Sequence, residues 1–102
     1  MPERRLFFPN SLQIPDMAER HSYEPVLSSQ AADFLVSLSK ARQRKLIALL
    51  YQFAGNPSLP GDYSEQDDAG RDVQFILIRD LLIAYWADHP VKELRIVEIE
   101  EV

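Results

Sequence analysis

The residues best suited to chemistry lie at one corner of the sequence, in the stretch "YWADHPVK" from Tyr85 to Lys92. His89 and Lys92 can take up or release a proton, and Asp88 can orient an imidazole ring. The two aromatic residues that open the stretch can stack on a planar base. The corner is therefore either a well-formed β-turn or a site for a charged ligand with planar bases, such as RNA.

Cleavage of RNA without a metal has simple chemical requirements. A base takes a proton from the 2′-hydroxyl, a cation stabilises the phosphate, and an acid protonates the leaving oxygen. An aromatic ring assists by stacking on a base. The candidate catalytic residues are Arg71 and Arg95 for the phosphate, His89 or Lys92 for proton transfer and Tyr85 for stacking.

Each candidate also has an ordinary structural interpretation. A histidine before proline is usually a turn residue. Tyr85 and Trp86, either of which could stack on a base, are more often core residues when they lie in an apolar strand. An arginine followed by aspartate, as at positions 71–72 and 79–80, is most often a solvated strand end.

The length and composition indicate one globular domain. The chain has 102 residues, of which 46% are hydrophobic and 26% are charged. No apolar run is long enough to cross a bilayer, and the apolar residues before Pro9 are too few for a secretory signal. The absence of cysteine excludes disulfides and thiolate chemistry and fits a cytoplasmic protein with no membrane partner.

The charges are unevenly distributed. The net charge of −5 argues against indiscriminate nucleic-acid binding, which requires a broad positive field. The acidic residues between Asp62 and Asp72 lack the spacing of a calcium loop, so we predict no metal and no cofactor. Four cations lie within six residues and would ordinarily form a solvated helix face: Lys40, Arg42, Arg44 and Lys45.

The N-terminal half predicts a short strand and two helices. Residues 1–22 contain three prolines without a sustained period, which predicts an irregular extension before a domain of residues 23–102. Residues 22–27 predict a short strand, which Pro25 makes either an edge strand or an irregular one. Apolar spacing predicts helices over residues 29–38 and 40–54, capped by Ser28 or Ser29 and by Ser39. The two helices form a hairpin.

The C-terminal half predicts strands over residues 62–66, 71–79, 81–88 and 92–100, joined as an antiparallel β-meander. The predicted class is α+β, with a short N-terminal strand, a helical hairpin and then the meander sheet. Alternation leaves both faces of the central strands largely apolar. One face must meet the helices, and the other is a partly exposed apolar surface that suits a partner or the N-terminal segment.

Three pieces in this order resemble toxins of the RelE/ParE superfamily from bacterial type II toxin–antitoxin systems. They are the hairpin "LSSQAADFLVSLSKARQRKLIALL", the link "NPSLPGDY" and the strand series "GRDVQFILIRDLLIAYWADHPVKELRIVEI". The resemblance begins near Tyr23 and covers about four-fifths of the chain. It implies a small RelE/ParE-like α+β toxin that a cognate protein antitoxin neutralises.

The resemblance implies two classes of activity. The best-known members cut messenger RNA in the ribosomal A site, with the helical region that here carries Lys40 to Lys45 docking ribosomal RNA. Others inhibit DNA gyrase. We therefore expect a metal-independent, ribosome-dependent endoribonuclease that represses translation, with ribosome and mRNA as partners.

Two departures from the nuclease pattern keep an alternative open. In active family ribonucleases the second sheet face carries several basic residues, whereas here only the strand ends do. The chain ends "EIEEV", where those nucleases commonly place a catalytic tyrosine or histidine. The alternative is a non-catalytic binding protein of the same fold, either a gyrase inhibitor or a degenerate toxin that binds only its antitoxin.

Overall fold

The computed structural model describes residues 3–5 and 23–102, with only the backbone described for the first three. Six strands, two helices and one 3₁₀ turn make up these residues. In chain order they are β1 Glu3–Arg5, β2 Glu24–Ser28, α1 Ser29–Val36, α2 Lys40–Gly55, β3 Tyr63–Gln66, β4 Asp72–Ile78, β5 Leu81–Asp88, the 3₁₀ turn His89–Val91 and β6 Glu93–Glu101.

The strands form one sheet in the order β1-β2-β6-β5-β4-β3. Strands β3 to β6 are an antiparallel meander, which confirms the predicted α+β arrangement. Strand β2 pairs with β6 in parallel, so the sheet is mixed rather than wholly antiparallel. A parallel pair requires a long connection, and here the helices and the rest of the meander supply it.

The N-terminal residues differ from the prediction at two places. Glu3–Arg5 form a strand that pairs with β2, whereas the sequence predicted an irregular segment; the rest of that extension lies outside the described residues. Strand β2 is therefore not at the edge. Pro25 is tolerated because the Glu24 amide donates to the Lys92 carbonyl, so the Pro25 nitrogen faces away from β6, and β1 pairs only with residues 26–28.

Both helices begin at the predicted serine caps. The Ser28 hydroxyl accepts a hydrogen bond from the Ala31 amide at 3.1 Å, and the Ser39 hydroxyl accepts one from the Arg42 amide at 3.3 Å. Helix α1 ends two residues earlier than predicted because the Ser37 hydroxyl bonds the Phe34 carbonyl. Neither described helix is long and apolar enough to cross a membrane.

The core lies between the helices and one face of the sheet. Apolar side chains of β2, β5 and β6 meet those of α1 and α2 there, and each fully buried leucine or isoleucine contributes on the order of 2 kcal/mol. The largest fully buried side chains are Tyr85, Leu27, Leu50, Ile83, Leu94, Ile96, Ile99 and Pro25. The opposite face, which we call the helix-free face, carries the exposed Tyr63 and Leu77.

A bulge in β6 keeps the core pattern in register. Ala84 pairs with Glu98 and Tyr85 pairs with Ile96, so Val97 is the extra residue. Ile96 and Ile99 consequently point to the same face although they are three residues apart. The Ser28 hydroxyl donates to the Val97 carbonyl at 2.9 Å, which satisfies the backbone at the bulge.

The two ends of the sheet lie far apart. At one end, Asp88 of β5 pairs with Glu93 of β6 beside the His89 turn. At the other end, Leu81 pairs with Glu101 beside the β4–β5 turn. Eight strand residues separate these ends by about 24 Å, so groups at the two ends cannot act on one atom of a substrate.

Candidate functional site

The corner after β5 is a 3₁₀ turn that ends in a left-handed residue. His89–Val91 form the turn, and Lys92 closes it with φ of 53°. The Lys92 amide donates to the His89 carbonyl at 3.2 Å. This tight geometry fixes where the His89 side chain leaves the backbone.

His89 is exposed at the surface but is not loose. Its Nδ1 atom lies 2.7 Å from the Tyr23 hydroxyl, and the two rings meet edge to face with centroids 5.6 Å apart. Tyr23 was not predicted as a site residue. It reaches the corner through the parallel pairing of β2 with β6, which the sequence did not predict.

A cleft of about 490 Å³ lies beside this corner. One wall is the loop that follows α2, residues 57–60, and the other is formed by the ends of β4 and β5. Three of the five predicted catalytic residues line it, namely Arg71, Tyr85 and His89. Trp86 lines it as well. The antiparallel meander brings Arg71 to His89 in this way, as the sequence predicted.

Tyr85 contradicts the stacking role predicted for it. The side chain is 1% exposed, and its ring stacks on Phe53 with centroids 5.5 Å apart. Its hydroxyl donates to the Leu59 carbonyl at 3.0 Å. Burial raises the pKa of the Tyr85 hydroxyl, and the Asp62 carboxylate raises it further, so the group stays a protonated donor. Tyr85 forms the floor of the cleft rather than a stacking surface.

Trp86 is the other aromatic residue that lines the cleft, and two arginines lie against its ring. The Arg71 guanidinium carbon lies 4.4 Å from the centre of the indole ring and that of Arg95 lies 5.7 Å from it. Arg95 lies in β6 and Arg71 immediately precedes β4, the two strands that flank β5. Period-two alternation predicted that Trp86 and Tyr85 lie on opposite faces but could not decide which face meets the helices.

Arg71 is held by the turn that precedes its strand. Its Nε donates to Asp67 at 2.7 Å, and the other Asp67 oxygen accepts from the amides of Arg71 and Ala69. The backbone hydrogen bond from Arg71, together with its guanidinium, lowers the pKa of Asp67. Among the described residues the terminal guanidinium nitrogens of Arg71 have no hydrogen-bond partner, so they can still donate to a phosphate.

Arg95 has a different environment from Arg71. Its Nε donates to Asp88 at 3.2 Å and its Nη2 donates to Glu93 at 2.9 Å. Glu93 is only 3% exposed. Two carboxylates thus neutralise this guanidinium, and the geometry favours a structural ion pair over the phosphate-binding role predicted for Arg95.

Arg95→Leu should lower the free energy of unfolding by about 2 kcal/mol, because it removes the guanidinium that pairs with the buried Glu93 carboxylate. Arg44→Leu, which removes an exposed cation on α2, should change it by less than about 0.5 kcal/mol. Urea unfolding of both variants measures the difference. Equal values for the two would show that the Arg95 pairs do not stabilise the fold.

The remaining predicted residues lie outside the cleft. Lys92 is exposed at the corner but does not line the cavity. The four cations of α2 are exposed, and Arg42 lies 3.4 Å from Glu101 and 3.9 Å from Asp80. Those two carboxylates belong to the far end of the sheet. The α2 cluster and the His89 corner are therefore separate surfaces.

A second groove, of about 440 Å³, lies between α2 and the β4–β5 turn. Its lining is mostly apolar, with three cations, the carboxylate Asp80 and the amide Gln52. The apolar residues are Leu38, Leu46, Ala48, Leu49, Ile78 and Leu81, and the cations are Arg42, Lys45 and Arg79. We call this surface the basic groove. Among the described residues, no three histidines or carboxylates are close enough to hold a metal ion.

Comparison with known proteins supports the architecture. No protein-family model and no curated protein matches the chain. Among solved structures, it is similar to the RelE chain of the archaeal RelE–RelB complex from Pyrococcus horikoshii OT3. The TM-score is 0.56 at 16% identity, over 74% of this chain and 89% of that one. The chain therefore has a RelE-like fold.

Proposed function

We propose that this chain is the toxin component of a toxin–antitoxin pair and that it cuts messenger RNA on the ribosome. The RelE-like fold supports the first part. The cleft supports the second, because a proton-transfer group and a cation, His89 and Arg71, line one cavity together with the aromatic residue Trp86. That convergence is the observation on which the proposed activity depends.

Each residue has a role in the cleavage. His89 takes the proton of the 2′-hydroxyl, whose oxygen attacks the adjacent phosphorus. Arg71 stabilises the added negative charge on the phosphate through its terminal nitrogens. The departing 5′ oxygen takes a proton from water, because Lys92, the other predicted proton-transfer residue, does not line the cleft. The products are a 2′,3′-cyclic phosphate and a free 5′-hydroxyl, so no metal or cofactor is required.

Induced expression tests this function. The chain should stop growth, and primer extension on cellular mRNA should show new 5′ ends. Purified protein should cut mRNA on ribosomes but not mRNA alone. Intact mRNA in a growth-arrested culture would refute the nuclease, and unimpaired growth at high expression would refute the toxin.

Binding without cleavage is the second candidate function. It is favoured by the charge at the corner, where the three carboxylates Asp67, Asp88 and Glu93 match the three cations Arg71, Lys92 and Arg95. Each carboxylate near the cleft repels RNA phosphates. A gyrase inhibitor of this kind would arrest growth, leave mRNA intact and reduce the supercoiling of a reporter plasmid.

We also propose that the antitoxin docks in the basic groove. The chain carries a net charge of −5, yet this surface presents three cations against one carboxylate, Asp80, around a group of apolar residues. An amphipathic antitoxin segment with acidic residues would bury these apolar residues and pair with the cations. The groove lies at the far end of the sheet from His89, so docking there need not fill the cleft.

Lys45→Glu should weaken the complex with the small protein encoded beside this gene by about tenfold, because it reverses a positive charge of the groove. Lys40→Glu is the matched control. It makes the same change on the same helix outside the groove and should have a much smaller effect. Titration calorimetry at physiological salt measures both. Equal affinities for the two variants would exclude the groove as the docking surface.

A further inference from the structure

We infer that Tyr23 is a positioning residue, which holds His89 with its Nε2 atom available to a substrate in the cleft. The inference rests on the cleavage proposed above and assigns a role to a residue outside the predicted catalytic set. Tyr23 does not touch the reacting atoms. It acts through the His89 ring.

Two contacts restrain the imidazole. The Tyr23 hydroxyl forms a hydrogen bond of 2.7 Å with Nδ1, so this ring nitrogen is occupied. The edge-to-face contact between the two rings restricts rotation of the imidazole. An exposed turn histidine without such contacts would exchange among rotamers. Among the described residues, none forms a hydrogen bond with Nε2. This nitrogen can therefore bind a ligand in the cleft that His89 lines.

Tyr23 is itself held by the fold. Its amide donates to the Ala54 carbonyl at the end of α2 at 2.8 Å, and its half-buried side chain packs against the hydrophobic core. The next amide, that of Glu24, donates to the Lys92 carbonyl at 3.0 Å and ties β2 to the turn. The phenol is thus fixed relative to the His89 turn from two directions.

The chemistry determines the direction of the hydrogen bond. A general base at Nε2 requires a lone pair there, so the proton of the neutral ring must lie on Nδ1. Nδ1–H then donates to the Tyr23 oxygen. After Nε2 takes the proton of the 2′-hydroxyl, Nδ1–H still donates to the same oxygen. One acceptor therefore serves both protonation states.

The first test is spectroscopic and needs no substrate. In ¹⁵N-histidine spectra recorded at a pH where the His89 ring is neutral, the wild-type signal should be that of a ring protonated on Nδ1. Tyr23→Phe keeps the ring contact but removes the oxygen, and it should shift His89 to the Nε2-protonated form. A wild-type ring protonated on Nε2, or a spectrum unchanged by Tyr23→Phe, would overturn the inference.

The second test is kinetic. Tyr23→Phe should lower kcat for ribosome-dependent cleavage by about tenfold with little change in KM, because substrate binding is left intact. In a His89→Ala background the same change should have no further effect. Tyr63→Phe, the same substitution at an exposed tyrosine of β3, should alter neither kcat nor the His89 spectrum.

The two tests separate failure of the inference from failure of the proposed function. A cleaving wild type whose Tyr23→Phe variant is equally fast refutes the positioning role alone. A loss of kcat that adds to that of His89→Ala shows a general structural effect and also refutes it. A wild type that does not cleave, but whose His89 ring changes with Tyr23→Phe, refutes the nuclease and leaves the coupling of the two rings established.

Discussion

Replacing His89 by alanine should abolish growth inhibition and lower the rate of mRNA cleavage by about a hundredfold or more, the usual effect of losing a proton-transfer group. The fold should survive, because the side chain is exposed and its loss removes one surface hydrogen bond, worth about 1 kcal/mol or less. Colony survival under induction, single-turnover cleavage and thermal melting measure these effects on the same protein preparation.

A neighbour in the same turn provides the control. Val91 is 55% exposed, and Val91→Ala should preserve both toxicity and the melting temperature. If the His89→Ala protein melts normally and still arrests growth, His89 is only a turn residue. Binding without cleavage would then be the better-supported function. If it arrests growth while mRNA stays intact, the nuclease proposal is wrong and the toxin proposal stands.

The sequence was sufficient to predict the elements of this domain and one of its long-range convergences. Predicted helix and strand bounds differ from the observed ones by at most two residues, since serine caps, proline stops and period-two runs are local signals. The meeting of Arg71 with His89 followed from topology. Consecutive antiparallel strands place the start of β4 beside the end of β5.

The contact between Tyr23 and His89 could not be predicted in the same way. The two residues are 66 positions apart, and they meet because β2 pairs in parallel with β6. Nothing in the local pattern of a five-residue strand determines which strand it pairs with. The ion pair between Arg95 and Glu93 is easier to predict from the sequence, because the two residues are two positions apart on the same face of one strand.

The sequence does not show which face of β5 meets the helices, and the stacking role was therefore predicted for Tyr85, which is buried. Tyr85 and Trp86 are adjacent in β5, a strand that is largely apolar on both faces. Alternation separates them but does not state which one meets the helices. In the structure Tyr85 is the residue that meets the helices, because the Phe53 ring of α2 packs on it and buries it.

That correction leads to the largest expected effect on stability. Tyr85→Ala should destabilise the protein by about 3–5 kcal/mol, because it empties a fully buried site beside Phe53. Tyr85→Phe should lower the free energy of unfolding by only about 1 kcal/mol, through loss of the hydrogen bond to the Leu59 carbonyl. Urea unfolding measures both values.

The phenylalanine variant also tests the role of Tyr85 in the cleft. A residue that stacks on a base would still do so as phenylalanine, whereas a residue that supports the cleft wall through its hydroxyl would not. Because the Tyr85 hydroxyl holds the loop after α2 at Leu59, Tyr85→Phe should raise KM more than it lowers kcat. If neither Tyr85→Phe nor Trp86→Ala changes KM, neither aromatic residue contributes to substrate binding in the cleft.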